Sequence, residues 1–298
     1  MNNYKNQVRL LLSVIPEVAK EKCFALHGGT AINLFVRDMS RLSVDIDLTY
    51  IPIEDRTTSF TNINNTLGEI KKRLNVIFPN LLVEHQKDKL KLQISNKQAL
   101  IKIEVNQGVR GLIGDSSTLV LCDKAQEEFD VFCSIQGVSF GQLYGGKIVA
   151  AFDRQHPRDL FDVKDLLENE GFTQEIKEGF IFTLLSSKRP IKEVLFPNFI
   201  NQEQAFANQF MGMTENPFSY TDFEQTREKL VKVVQEGLTE TDKNFIISFE
   251  NTSPDWSIYD FEKFPAIQWK LQNLLALKKN NPKKHNFNMK ELESLLIY

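Results

Sequence analysis

The amino-acid sequence predicts an α+β chain, with a mixed sheet and its helices over residues 1–170 followed by a mainly helical region over residues 171–298. Three observations lead there. Short segments of apolar and polar alternation cluster before residue 110, and helical apolar spacing takes over after Gly171. The 298 residues also exceed one typical domain and suit two, each long enough to bury a core. Hydrophobic residues at 42% and charged residues at 25% are the ordinary balance of a globular protein, which excludes broad disorder.

The elements follow in order. Val8, Leu11, Leu12, Ile15 and Val18 recur at helical spacing across 8–20, and Cys23-Phe24-Ala25-Leu26 forms a short apolar strand that Gly28-Gly29 stops. Thr30 is placed to cap a short helix over 31–36. A turn at 40–43 leads into a strand over 44–50, whose alternation puts Asp45 and Asp47 on one face. A helix over 58–78 comes next, then strands over 81–84, 89–94 and 100–105, then mixed short strand and loop over 109–140. Helical spacing returns over 140–152. Pro157 interrupts it and suits the first position of a second helix that runs to about 170. Beyond Gly171 the helical periodicity is strongest over 180–185, 223–237 and 267–277, and no repeat or low-complexity tract is visible.

The apolar stretch over 8–15 is too short for a signal peptide or a membrane span. Cys23, Cys122 and Cys133 form no CxxC pair and sit among apolar neighbours, which reads as buried free thiols. Together these predict a soluble protein of the reducing cytoplasm with no membrane partner. The net charge of −3 lacks the basic signature of a general nucleic-acid binder, so any such role needs a local patch. Candidates are Lys71-Lys72-Arg73, the run Lys87, Lys89 and Lys91, and Lys278-Lys279 with Lys283-Lys284-His285; charge patterning alone reads each as solvated surface.

Three constellations carry chemistry. In the first, Gly28-Gly29-Thr30 precedes Asp45-Ile46-Asp47. Glycines opening a helix let backbone N–H groups approach phosphates, where the helix dipole also favours negative charge. Carboxylates at alternate strand positions point the same way and are hard oxygen ligands for Mg²⁺ on a triphosphate. A GG turn or a DxD pair alone is weak evidence; the two in strand, turn, helix, strand order favour function. The second is Glu104, which either completes a three-carboxylate metal site or, with Lys102, forms the wet face of an edge strand. The third gathers Lys147, Arg154, Arg158, Asp159 and Asp162 around the Pro157 break. It reads either as cations that neutralise a triphosphate or as an exposed face with i,i+4 pairs such as Arg158 with Asp162. His27 and His156 adjoin these motifs without metal-like spacing and receive no role.

The blocks Phe24-Ala25-Leu26-His27-Gly28-Gly29-Thr30-Ala31 and Arg41-Leu42-Ser43-Val44-Asp45-Ile46-Asp47-Leu48 resemble the hG[GS]…DhD signature of polymerase-beta-like nucleotidyltransferases in its AbiEii/AbiGii toxin form. Lys147 with Arg158-Asp159-Leu160-Phe161-Asp162 resembles that family's later K…RDxxD block. Arg189-Pro190, Pro217-Phe218-Ser219-Tyr220 and Pro265-Ala266-Ile267-Gln268-Trp269 read like its helical domain, so the resemblance spans almost the whole chain. The interval from Thr30 to Asp45 is slightly longer than the superfamily's commonest spacing.

The resemblance implies an enzyme that moves the nucleotide part of an NTP onto an acceptor hydroxyl and releases pyrophosphate, in a toxin–antitoxin or abortive-infection system. Gly28, Gly29 and Thr30 would hold phosphates. Asp45, Asp47 and Glu104 would ligate Mg²⁺, in a two-metal arrangement. Lys147 would contact the triphosphate, Asp162 would be a catalytic or orienting acid, and Arg158 and Asp159 would support the site. The implied partners are the NTP, a cognate antitoxin and, by likeness to the related MenT toxins, the tRNA 3′ end. Two other readings stand beside this one: a catalytically silent NTP-binding module, and a metal-dependent phosphodiesterase that needs no NTP.

Overall fold

Strand alternation organises the first half of the chain. The computed structural model describes residues 2–297, and the chain folds into two compact units. The first takes the residues up to Ser139 with the returning segment Ala207–Pro217; the second takes Phe140–Phe206 and the chain from Phe218 onward.

The first unit contains strands β1 (Phe24–His27), β2 (Asp45–Tyr50), β3 (Leu82–Gln86), β4 (Lys91–Ser95), β5 (Leu100–Arg110), β6 (Ser117–Val120) and β7 (Ser134–Gly137). They form one mixed sheet in the order β3-β4-β5-β2-β1-β7-β6. β2 pairs in parallel with β5 and antiparallel with β1, and β4 pairs antiparallel with β5. Ile46 lies opposite Ile103 and Leu48 opposite Val105, while Leu92 and Ile94 on β4 face Ile103 and Ile101. All seven of these apolar residues are buried.

Helices α1 (Asn2–Val18) and α3 (Arg56–Ile77) pack on that side through Val8, Leu11, Leu12 and Ile15 and through Ile63, Leu67, Ile70 and Leu74. Asp55 caps α3 by accepting a hydrogen bond from Thr58 N at 3.0 Å. Since side chains alternate along a strand, burying Ile46 and Ile103 commits Asp45, Asp47, Lys102 and Glu104 to the opposite face.

Between β1 and β2 lies α2 (Gly28–Ala31), which continues into a π-helical turn over Ile32–Val36. The sequence pattern places Thr30 as the cap of a helix starting at 31. The helix instead begins at Gly28, and Thr30 is its third residue. The region expected as mixed strand and loop resolves into the end of β5, then β6, α4 (Asp123–Phe129) and β7.

The second unit is helical: α5 (Phe140–Arg154), α6 (Pro157–Asn169), α7 (Gln174–Ser186), α8 (Ile191–Leu195), α10 (Tyr220–Gly237), α11 (Glu240–Glu250), α12 (Pro265–Asn280) and α13 (Pro282–Ile297), with α9 (Glu203–Gln209) crossing the change of unit. The chain therefore has the expected α+β character, a mixed sheet followed by helices. The division expected near residue 170 falls between α6 and α7, inside this unit. The reason is a glycine contact between α5 and α7. A β-carbon on Gly145 would overlap the Gly179 carbonyl carbon, and one on Gly179 would overlap Gly141 O. Backbones this close bind α5 to α7 and draw α6 with them.

Capping boxes start α10 at Ser219 and Asp222 and α11 at Thr239 and Asp242. Asp242 is also ion-paired with buried Lys177 at 2.7 Å and accepts a hydrogen bond from Tyr259 Oη at 2.6 Å. Among the described residues no helix is long and apolar enough to cross a membrane. Cys23, Cys122 and Cys133 are free; Cys133 is buried, which pushes its thiol pKa up to about 11, and the other two are half-buried.

The glycine contact makes a test. Gly179→Ala should lower stability by about 1–3 kcal/mol, because the added methyl meets backbone that cannot turn aside. Denaturant melts read by the helical signal measure it, and an unchanged midpoint would remove the close approach.

Candidate active site

The open face of the sheet carries a straight row of polar groups. His27 on β1 lies opposite Asp47 on β2, Asp47 opposite Glu104 on β5, and Glu104 opposite Lys91 on β4. Neighbouring strands stand about 4.8 Å apart, so the row crosses four strands at one level. Asp45 lies opposite Lys102 one step along. A groove of about 790 Å³, open to solvent, runs along the first row and is lined by His27, Asp47, Lys89, Lys91, Glu104, Asn106 and Gln107 among others.

Gly28 borders Asp47 with φ +76°, in the left-handed region. A β-carbon there would lie 2.5 Å from Asp47 Oδ2, so only a glycine lets that carboxylate pack this closely against the start of α2. Two hard oxygen donors on one strand face, one of them lining the open groove, fit a divalent cation. Glu104 fits less directly. Its Oε1 is ion-paired with Lys91 Nζ, and among the described residues no three of His, Cys, Asp and Glu are grouped as a ready cage for a metal.

Thr30, expected to touch phosphate, is fully buried. Its hydroxyl lies 3.0 Å from Ser43 Oγ and donates to the Asp45 carbonyl, tying the GG helix to the start of β2. Gly29 is wedged against two groups to which the sequence pattern assigns no role: a β-carbon on it would lie 2.8 Å from Arg41 Nη2 and 3.1 Å from Ser43 Oγ.

Arg41 is 3% exposed and donates to Leu42 O, and Asn33 links Gly29 O to Arg41 N. The returning segment fastens the same loop: Leu42 N donates to Met213 O at 2.7 Å, and Thr214 Oγ1 to Ser40 O at 2.8 Å. The signal for Arg41 lies in Arg41-Leu42-Ser43, a cation in a turn shortly before the acids. His27, also without a role in the sequence pattern, precedes α2 and places Nδ1 3.1 Å from Thr49 Oγ1.

The second group of expected residues lies in the helical unit. α5 supplies Lys147 and Arg154, and α6 supplies Arg158, Asp159 and Asp162. Pro157 is the first residue of α6 as expected, and His156 caps it by accepting from Arg158 N. Lys147 Nζ lies 3.0 Å from Asp159 Oδ1 and 2.9 Å from Asp162 Oδ2, and Arg154 Nε lies 2.6 Å from Asp159 Oδ2.

Lys147, Asp159 and Asp162 are 6%, 2% and 1% exposed, which overturns the reading of this stretch as a solvated face. Burial opposes ionisation of Asp159, but the charges and hydrogen bonds of Lys147 and Arg154 outweigh it and hold the carboxyl well below the usual carboxylate range. A nucleotide phosphate reaching Lys147 would meet a cation already shared between two carboxylates.

A family model described as nucleotidyl transferase AbiEii toxin, type IV TA system, matches residues 9–273. Among solved structures, the fold is similar to that of MenT4, a nucleotidyltransferase toxin from Mycobacterium tuberculosis H37Rv, with a TM-score of 0.62 and 12% identity over 91% of this chain and 92% of that one. No curated protein matches.

The buried cluster has a pH signature. Asp159→Asn should cost about 3 kcal/mol at neutral pH, because it leaves the buried Lys147 short of a counter-charge. The folded pKa of Asp159 is depressed, so its contribution is complete above the unfolded value of about 4 and fades as the pH falls below it. The gap between melts of wild type and variant should begin to narrow as the pH falls from 7 to 3, closing only below the depressed folded pKa; a constant gap would mean that the charge of Asp159 is not what stabilises.

Proposed function

This chain belongs to the AbiEii nucleotidyl transferase toxin family of type IV toxin–antitoxin systems, and we propose that it transfers NMP from an NTP to an acceptor hydroxyl in a Mg²⁺-dependent reaction. The observation that carries the reading is the pair Asp45 and Asp47 on one strand face, with the Cβ-less Gly28 beside Asp47. Asp45 and Asp47 would hold the cation, and Glu104 is the remaining carboxylate of the row. The bound metal would polarise the triphosphate and neutralise charge on the departing pyrophosphate.

The protein's own groups do the rest. Backbone N–H groups of Gly28 and Gly29 stand where α2 begins, so they can receive phosphate oxygens at the positive end of the helix dipole. Thr30, Ser43 and Arg41 keep that turn and the start of β2 in fixed relation. Such positioning matters because an in-line attack on the α-phosphorus draws most of its rate from alignment of the reacting atoms. In the helical unit Asp159 and Asp162 hold Lys147 as a fixed buried cation. A cognate antitoxin is the protein partner the family implies, and the cytoplasm is where NTP and acceptor meet.

For the acceptor we favour RNA, the tRNA 3′ end in particular, met by the turn between α12 and α13. Lys279, Lys283 and Lys284 are exposed there. Lys278 instead donates to Asn251 O, and His285 is buried with Nε2 2.9 Å from Glu250 O. Three exposed cations on one turn suit a phosphate backbone.

Two outcomes follow. Purified protein with each labelled NTP, Mg²⁺ and total host RNA or protein should label one acceptor, and Asp45→Asn or Asp47→Asn should cut transfer by about 100-fold or more while leaving the melting temperature unchanged. Wild-type transfer by either folded variant would sink the metal assignment. Replacing Lys279, Lys283 and Lys284 with Ala should weaken tRNA binding and flatten its salt dependence by about three released counterions, with NTP affinity unaltered. An unchanged salt slope would remove this turn from the acceptor site.

A further inference from the structure

We propose that Lys91 is a fixed cation of the active site, held by Glu104 as a positioning residue, and that the metal is therefore ligated by Asp45 and Asp47 without Glu104. The inference rests on the metal reading above and refines it.

The geometry is the row across the sheet. Lys91 and Glu104 are directly opposed across β4 and β5, and Glu104 is directly opposed to Asp47 across β5 and β2. The acid thus has a cation on one side and a metal-site carboxylate on the other. It is ion-paired with the cation. The Lys91 side chain is only 15% exposed, whereas that of Glu104 is 43% exposed.

Turning Glu104 to a metal on Asp47 would strip the Lys91 ammonium of the carboxylate it is paired with and leave it beside a divalent cation. Loss of the ion pair and like-charge repulsion both oppose that exchange. Keeping the pair intact avoids both costs. It also leaves a lysine in the wall of the groove that Asp47 shares, where its positive charge faces the same anionic substrate as the metal. Lys91 thus supplies, as a tethered charge, part of what a second metal ion would supply.

The test measures Mn²⁺ binding without nucleotide, by electron paramagnetic resonance of the free ion, on folded wild type and variants. Asp47→Asn should weaken binding by about tenfold or more, as loss of a ligand does, and Glu104→Gln by less than about threefold, the effect of a nearby charge alone. Lys91→Met should tighten binding roughly fivefold by releasing Glu104 toward the metal, and the double variant Lys91→Met with Glu104→Gln should lose that gain. Transfer by Lys91→Met should fall, and Lys91→Arg should restore part of it.

A loss in Glu104→Gln as large as that in Asp47→Asn would make Glu104 a ligand and overturn the proposal. Unchanged Mn²⁺ affinity in Lys91→Met would also overturn it, reducing the pair to a cross-strand contact. Unchanged affinity in Asp47→Asn would instead strike the underlying metal reading, so the two failures are distinguishable.

Discussion

The period of two along β2 and β5 is the constraint from which the catalytic half of the molecule follows. Ile46, Leu48, Ile103 and Val105 must enter the core beneath α1 and α3, and the parallel register sets Asp47 beside Glu104 as they do. A slip of β2 by one residue would turn Ile46 and Leu48 outward and Asp45 and Asp47 into the core, a change that hydrophobic burial at about 25 cal/mol per Å² strongly opposes. The core thus enforces the position of the acids. It does so with residues that never touch a substrate, which is why the site can carry like charges close together without the strand turning over.

This is also why the strand half is legible from sequence. Alternation and apolar runs are local, and they locate β2, β4 and β5, the shared face of Asp45 and Asp47, and the place of Glu104. Pairings between distant segments leave no such trace. Lys91 reads only as one lysine of a run, since nothing in 87–91 states which residue of β5 it opposes. Thr30 carries the chemistry of a helix cap, and that reading fails because the helix begins at Gly28, turning the hydroxyl inward to Ser43 and Asp45. Arg41 stands in a motif without an evident role, because its contact with Gly29 depends on a loop that the distant residues Met213 and Thr214 hold in place.

The helical half shows the same division. Pro157 and the apolar spacing announce α5 and α6. Whether Lys147, Asp159 and Asp162 face water is undecidable from spacing, since a helical face of charges is equally compatible with solvent and with a buried network. Packing decides it. Gly141, Gly145 and Gly179 let α5 lie against α7 at backbone distance, and α6, joined to α5 through Gln155 in the left-handed conformation, turns Asp159 and Asp162 onto Lys147. The same glycines put these helices in the second compact unit, whereas the sequence pattern draws a division after them.

The two sets of charged groups differ in what they need. In the helical unit the buried Lys147 and the exposed Arg154 balance the buried Asp159 and Asp162, so these carboxylates tolerate burial without a ligand. They form a preorganised group, in place before any substrate arrives. The sheet face is different. There Lys91 answers Glu104, while Asp47, which shares its strand face with Asp45, lines a solvent-open groove and packs against Gly28. A neutral, buried network gains little from an added cation. A cation shared by Asp45 and Asp47 would reduce the repulsion between them as well as bind to each. The proposed metal site therefore belongs to the strand face and not to the helical cluster, whose buried carboxylates already have cations beside them.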